Sequence, residues 1–130
     1  ITFTEKTRYL FEINKGITEQ SKPHAVNEFV EQSDRRVPFE NMIYIGDGLT
    51  DVPCFSLLQR FHGIGFGVFD PRKKGSPKKA WEQLAFPRRV VSTNAPRYRP
   101  DDELGALLRA AVKQICLRMD TNLGAASQRR

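Results

Sequence analysis

Two aspartates, Asp47 and Asp51, stand four residues apart in the string Gly46-Asp47-Gly48-Leu49-Thr50-Asp51. Carboxylate oxygens are preferred ligands of hard cations such as Mg²⁺. The glycines on both sides of Asp47 let a metal or a phosphate approach the backbone closely. An isolated Asp-Gly pair is usually only a turn, so the elements around this string decide between a turn and a site.

Those elements are a strand before the string and a helix after it. Met42–Ile45 is an unbroken apolar run typical of a buried strand. Thr50 and Asp51 can cap a helix that carries Val52, Phe55 and Leu58 on one face. In open α/β sheets, ligands bind at the carboxyl ends of the strands. We therefore expect Asp47 at that edge, on an interior parallel strand.

The string and its flanks, from Phe39 to Phe55, resemble the fourth sequence motif of the haloacid dehalogenase (HAD) superfamily, in its phosphoserine-phosphatase-like branch. The resemblance implies a Mg²⁺-dependent hydrolase of phosphomonoesters that works through an aspartyl-phosphate. It implies that Asp47 is a direct metal ligand, and that Asp51 holds a metal-bound water or orients the loop. Gly48 is the expected phosphate-binding backbone position beside them.

The same resemblance implies a lysine that stabilises charge on the transferring phosphoryl group. Lys6 is our preferred candidate, because Thr2-Phe3-Thr4 is typical of a strand end and a helix follows from about Glu5 to Asn14. Lys15 and Lys22 remain alternatives, and Lys22 lies at an interval from Asp47 nearer to the family's usual one. We expect the ammonium group of Lys6 to point toward Asp47.

The family's first motif, Asp-x-Asp, does not occur in this sequence, and its second motif has no match at a strand end that precedes Asp47. We therefore expect the nucleophile, the general acid/base and any cap domain to lie upstream of Ile1. On this interpretation the chain carries half of an active site and has no phosphatase activity alone.

The order of predicted elements favours a three-layer α/β fold with a mainly parallel sheet. The resemblance implies that this is the C-terminal half of a Rossmann-like HAD core. We expect 1–121 to form this part of the core domain and 122–130 to be a disordered tail. Glycines in Gly63–Phe69 predict close packing rather than a dinucleotide site. The other predicted elements are a helix over His24–Glu31, a helix after Ser76 with Ala80, Trp81 and Leu84 inward, a strand over Arg89–Thr93 and an amphipathic helix with Leu104, Leu107, Leu108, Ala111, Val112, Ile115 and Met119 on one face.

The net charge of +6 raises the question of nucleic acid. The basic residues cluster in predicted loops and helix starts without interleaved aromatic residues, which favours a solvated face and a small phosphorylated metabolite as partner.

No apolar run approaches the roughly 20 residues of a membrane span, and we expect a cytoplasmic protein with Cys54 and Cys116 as free, buried thiols. The alternative function is a non-catalytic or receiver-like α/β binding domain.

Overall fold

Residues 3–18, 25–31 and 34–128 are described by the computed structural model, with side chains between 5 and 124. The chain divides into two units, Ile1–Thr93 and Asn94–Arg130. The first unit carries the string around Asp47 and the secondary structure that positions it.

A small sheet lies at the centre of the first unit. Its strands are β1 (Ile43–Gly46), β2 (Ile64–Val68) and β3 (Ser92–Asn94), in the order β1-β2-β3. β1 and β2 run parallel, with Gly46 opposite Gly67. The α/β class and a small parallel sheet are thereby confirmed, whereas the three-layer arrangement stays a prediction.

The expected interior position of the Asp47 strand is wrong for the described part of the chain. β2 takes the middle place because both of its edges pair, and β1 lies at an edge of the sheet. The third strand also begins later than predicted. Val91 donates its N–H to the Gly65 carbonyl at 2.8 Å just before β3 starts.

Helix α1 (Phe3–Lys15) packs against α2 (Val52–Arg60), and α2 packs against β1 and β2. Their contact encloses one cluster of buried side chains. Its members are Leu10, Phe39, Met42, Cys54 and Leu58.

Glycines of β2 let the helices approach the sheet. A Cβ on Gly65 would lie 2.6 Å from Cδ1 of Phe55, and one on Gly67 would lie 2.9 Å from Cδ1 of Leu84. Both distances are too short for ordinary contact, so the glycines make room for a helix side chain. The close-packing prediction is confirmed.

The first helix begins earlier than predicted. α1 already includes Phe3, so the expected strand end is wrong for Phe3 and Thr4, while Ile1 and Thr2 lie outside the described residues. The predicted helix over His24–Glu31 is also wrong in its described part, where only the 3₁₀ turn Ala25–Asn27 forms. Short isolated helices are marginal without packing, and His24 is outside the described residues.

After β2, Gly75 adopts a left-handed conformation with φ 83° and starts the helix α3 (Ser76–Ala80), which continues as a π-helical turn, Trp81–Ala85. Ala80 and Leu84 are buried as predicted, but Trp81 is 59% exposed. On an α-helix Ala80 and Leu84 lie about 40° apart, and Trp81 lies about 60° beyond Leu84, at the edge of the buried face. Its predicted inward position is therefore wrong.

The second unit consists mainly of α4 (Glu103–Gln128), a helix of 26 residues. The helix continues past residue 121, where we expected a disordered tail, because Ala and Leu residues with high helical propensity follow and no proline interrupts them. Leu104 and Ile115 are buried, but Cys116 is exposed, contrary to expectation.

No described helix is long and apolar enough to cross a bilayer. The predicted apolar face is largely open to solvent at Leu107, Val112 and Met119.

Candidate functional site

Asp47 lies directly after β1, at the carboxyl end of the parallel strands, as predicted. Its side chain is exposed. The carboxylate of Asp47 makes no hydrogen bond or ion pair with any side chain or amide in the part of the chain that the structure describes. It therefore has all its lone pairs available to a ligand.

Asp51 is in the opposite situation, because it is only 3% exposed and its carboxylate is fully engaged. Oδ1 accepts hydrogen bonds from Lys6 Nζ at 2.8 Å and from the Tyr44 hydroxyl at 2.6 Å. Oδ2 accepts from the backbone N–H of Asp47 at 3.0 Å and of Gly48 at 3.2 Å. These four donors fix the loop between β1 and α2, which supports the loop-orienting role for Asp51.

The ionised state of Asp51 is stabilised in this position. Burial acts to raise the pKa of its carboxyl group, but the hydrogen bonds from Lys6, Tyr44 and the two backbone amides outweigh burial. The pKa of Asp51 consequently lies below its ordinary value. A permanent negative charge therefore sits under the loop that carries Asp47.

Tyr44 is a site residue that we did not identify from the sequence, where it counted only as an apolar strand position. Burial, followed by the hydrogen bond to Asp51, raises the pKa of its phenol well above the ordinary value. Its ring packs edge-on against Phe55, with centroids 5.4 Å apart. A tyrosine in an aliphatic strand was the available signal, since a buried Tyr hydroxyl needs a partner.

Lys6 joins α1 to the loop. Its Nζ donates to Thr50 Oγ1 and to Asp51 Oδ1, both at 2.8 Å. The expected direction toward Asp47 is therefore wrong in detail, because the buried carboxylate of Asp51 attracts the ammonium group. Lys15 points elsewhere and donates to the carbonyls of Val26 and Glu28, and Lys22 is outside the described residues.

The two glycines that flank Asp47 have different roles. A Cβ on Gly46 would lie 2.4 Å from Cγ of Asp51, so only glycine leaves space for the buried carboxylate. A Cβ on Gly48 would meet nothing within 4 Å. The N–H of Gly48 already donates to Asp51, so this amide is not free for the phosphate contact that we expected of it.

The fit to Mg²⁺ rests on Asp47 alone. No group of three or more His, Cys, Asp and Glu side chains converges among the described residues. Because the four donors already occupy the Asp51 carboxylate, the arrangement favours the loop-orienting role over the alternative role of holding a metal-bound water. Mg²⁺ keeps several waters in many protein sites and binds through one or two carboxylates, so the arrangement fits a hydrated ion held by one protein ligand.

Asp47 also lines an open cavity of about 340 Å³ between the strand ends and the loop that leads to α3. Basic side chains of that loop line the same space. A larger cavity of about 570 Å³ is lined by Phe39, Phe61 and neighbouring residues and does not include Asp47.

Comparison with known proteins finds a relative that matches part of this chain. A protein of Borreliella burgdorferi, described only as uncharacterized, is 48% identical over 58 residues. The match covers 45% of this chain and 19% of that relative, so the matched stretch spans about a fifth of the relative's length. No protein-family model and no solved structure matches the chain.

Proposed function

We propose that this chain carries the Mg²⁺-binding half of the active site of a HAD-type hydrolase of small phosphomonoesters. The observation that supports this most strongly is the division between two aspartates at a strand end. Asp51 is buried and held by four donors, and Asp47 is exposed, with a carboxylate that no described residue contacts by hydrogen bond or ion pair. The loop that Asp51 and Lys6 fix thus presents the Asp47 side chain to solvent.

In this proposal Asp47 binds the cation, and Asp51 is a positioning residue. Asp51 holds the N–H groups of Asp47 and Gly48 and so fixes where the Asp47 side chain leaves the backbone. When bound, Mg²⁺ would neutralise charge on the phosphoryl oxygens. Preorganised placement of this kind contributes much of the rate in phosphoryl transfer.

Lys6 is the proposed phosphate-binding lysine. An ammonium group has three donors, and two of them are used by Thr50 and Asp51. The third N–H, which has no acceptor among the described residues, would donate to an oxygen of the transferring group. The Asp51 carboxylate keeps the ammonium in place, and the nucleophilic aspartate would come from residues upstream of Ile1.

Metal binding by Asp47 is testable on this chain directly. We expect Mn²⁺, followed by electron paramagnetic resonance and displaced by Mg²⁺, to bind about tenfold or more weakly in Asp47→Asn, because one carboxylate supplies the protein ligand. Asp34→Asn is the matched control, since Asp34 is also exposed and lies outside the site. Equal Mn²⁺ affinity in Asp47→Asn and in the unchanged chain would exclude the metal role.

Turnover tests the remaining part of the proposal. We expect no hydrolysis of p-nitrophenyl phosphate by the 130-residue chain, and Mg²⁺-dependent hydrolysis by a protein extended upstream of Ile1. In that longer protein Asp47→Asn should abolish activity. Lys6→Gln and Lys22→Gln then identify the phosphate-binding lysine, because only the correct one should lower kcat. Full activity in Asp47→Asn would refute the assignment.

A further inference from the structure

The cavity beside Asp47 is lined by lysines that have no role in the proposed phosphoryl site. It lies where β1 and β2 end, and its lining includes Asp47, Asp70, Lys73, Lys74, Ser76 and Lys79. All these residues belong to the first unit. The lysines come from the loop after β2 and from the first turn of α3, so the sheet and the helix start both position them.

The charges on this segment are not equally available. Arg72 is paired with Asp70, with Nε 3.1 Å from Oδ1, and Lys78 is paired with Glu82 at 3.6 Å. Lys73, Lys74 and Lys79 form no ion pair with any described residue. Three lysines that form no ion pair with a described residue therefore line the cavity together with Asp47 and Asp70.

We propose that this cavity binds a second anionic group of the substrate, so that the preferred substrate is a small molecule with two phosphates. This inference rests on the proposed phosphatase function. One phosphate would lie at the Asp47 and Lys6 end, where the reaction takes place. The other would lie against Lys73, Lys74 and Lys79, where it is bound but not cleaved.

The size of the cavity favours a small ligand. About 340 Å³ lies near the lower end of the range for small-molecule sites. Among its lining residues only Phe69 is aromatic, whereas single-stranded nucleic acids are generally bound on several stacking aromatic residues. A compact bisphosphate therefore fits the site better than a polynucleotide does.

The first experiment measures binding without the metal, by isothermal titration in EDTA at low salt. The probes are fructose 1,6-bisphosphate and fructose 6-phosphate, which share a sugar and differ by one phosphate. We expect the bisphosphate to bind more tightly. Lys73→Gln/Lys79→Gln should weaken its binding about tenfold, since loss of each exposed charge is worth roughly two- to fivefold.

Lys78→Gln is the matched control, because it removes the same charge from the same segment but Lys78 is paired with Glu82 and does not line the cavity. It should change the affinity less than about twofold. Equal weakening by Lys78→Gln, or unchanged binding in Lys73→Gln/Lys79→Gln, would overturn the proposal. Tighter binding of a twelve-nucleotide single strand that the double variant abolishes would also overturn it, in favour of nucleic acid.

These measurements test the metal role of Asp47 and the bisphosphate site independently. Binding of the bisphosphate without metal does not require Asp47, and Asp47→Asn should leave it unchanged or tighter because a negative charge is removed. Loss of Mn²⁺ binding in Asp47→Asn tests only the metal role. In the longer protein, Lys73→Gln/Lys79→Gln should raise KM for the bisphosphate about tenfold while KM for p-nitrophenyl phosphate stays the same.

Discussion

At the scale of single residues, two identical side chains in one loop have opposite environments. The burial of the two side chains differs because the Asp51 carboxyl group occupies the space that a Cβ on Gly46 would fill. Lys6 and the Tyr44 hydroxyl donate to it there. Both aspartates and Lys6 could be identified from the sequence. Their partners could not, since the hydroxyl of Tyr44 reaches Asp51 only after the strand and the loop are folded.

The glycines that flank Asp47 provide a matched pair of substitutions. Gly46→Ala should lower the free energy of unfolding by about 1–3 kcal/mol, because its Cβ would overlap the Asp51 carboxyl. Gly48→Ala should change it by less than about 0.5 kcal/mol, since nothing lies within 4 Å of the added carbon. Urea denaturation followed by circular dichroism measures both, and equal costs would contradict the described loop.

At the scale of elements, the apolar patterns predicted β1, β2 and the start of α2, but not the turn at Ala25–Asn27 or the buried face of the helical segment after Gly75. β1 and β2 lie within one residue of their predicted bounds, because Gly46-Asp47-Gly48 and Asp70-Pro71 interrupt the apolar runs. α2 begins directly after its predicted cap at Asp51. The inward side of α3 was less predictable. Apolar character alone does not separate Leu84 from Trp81, and the contact with Gly67 that selects Leu84 comes from a distant part of the chain.

The segment from α3 through the π-helical turn gives a second matched pair. Leu84→Ala should cost about 2–5 kcal/mol of unfolding free energy, because it leaves a cavity under a fully buried side chain. Trp81→Ala should cost about 1 kcal/mol or less, since the indole is largely exposed and contacts the ring of Phe86 at a centroid distance of 6.0 Å. Circular dichroism is the appropriate probe, as the chain has one tryptophan. A larger loss of unfolding free energy in Trp81→Ala than in Leu84→Ala would show that the Trp81 side of this segment faces the core.

At the scale of the whole molecule, the net charge and the protonation of Asp51 determine how the stability of the fold depends on pH. The net charge of +6 was evident from the sequence, but which lysines are neutralised depends on the fold, as the pairing of Lys78 with Glu82 illustrates. The same holds for acid sensitivity. It depends on the folded pKa of Asp51, which is lowered by Lys6, 45 residues away in the chain, and by Tyr44 and two amides of the loop.

The stability of the chain should fall in acid because of Asp51. Its pKa is lower in the folded state than in the unfolded state, so the folded state binds fewer protons and the stabilisation is complete above the ordinary carboxyl pKa of about 4. It is lost as the pH falls through the folded pKa. Urea denaturation between pH 3 and pH 7 should show this decrease, and a smaller one in Asp51→Asn. Parallel curves for the two proteins would assign the acid sensitivity to other groups.

The open edge of β1 has a consequence for the behaviour of the purified chain. One side of this strand pairs with β2, and no strand among the described residues pairs with the other. Its residues, Ile43-Tyr44-Ile45-Gly46, include no charge and no proline, which are the features that usually keep edge strands from joining. Such an edge is a template for aggregation, so at high concentration copies of the chain should add to one another strand by strand. The solubility of the protein thus depends on whether that edge is covered.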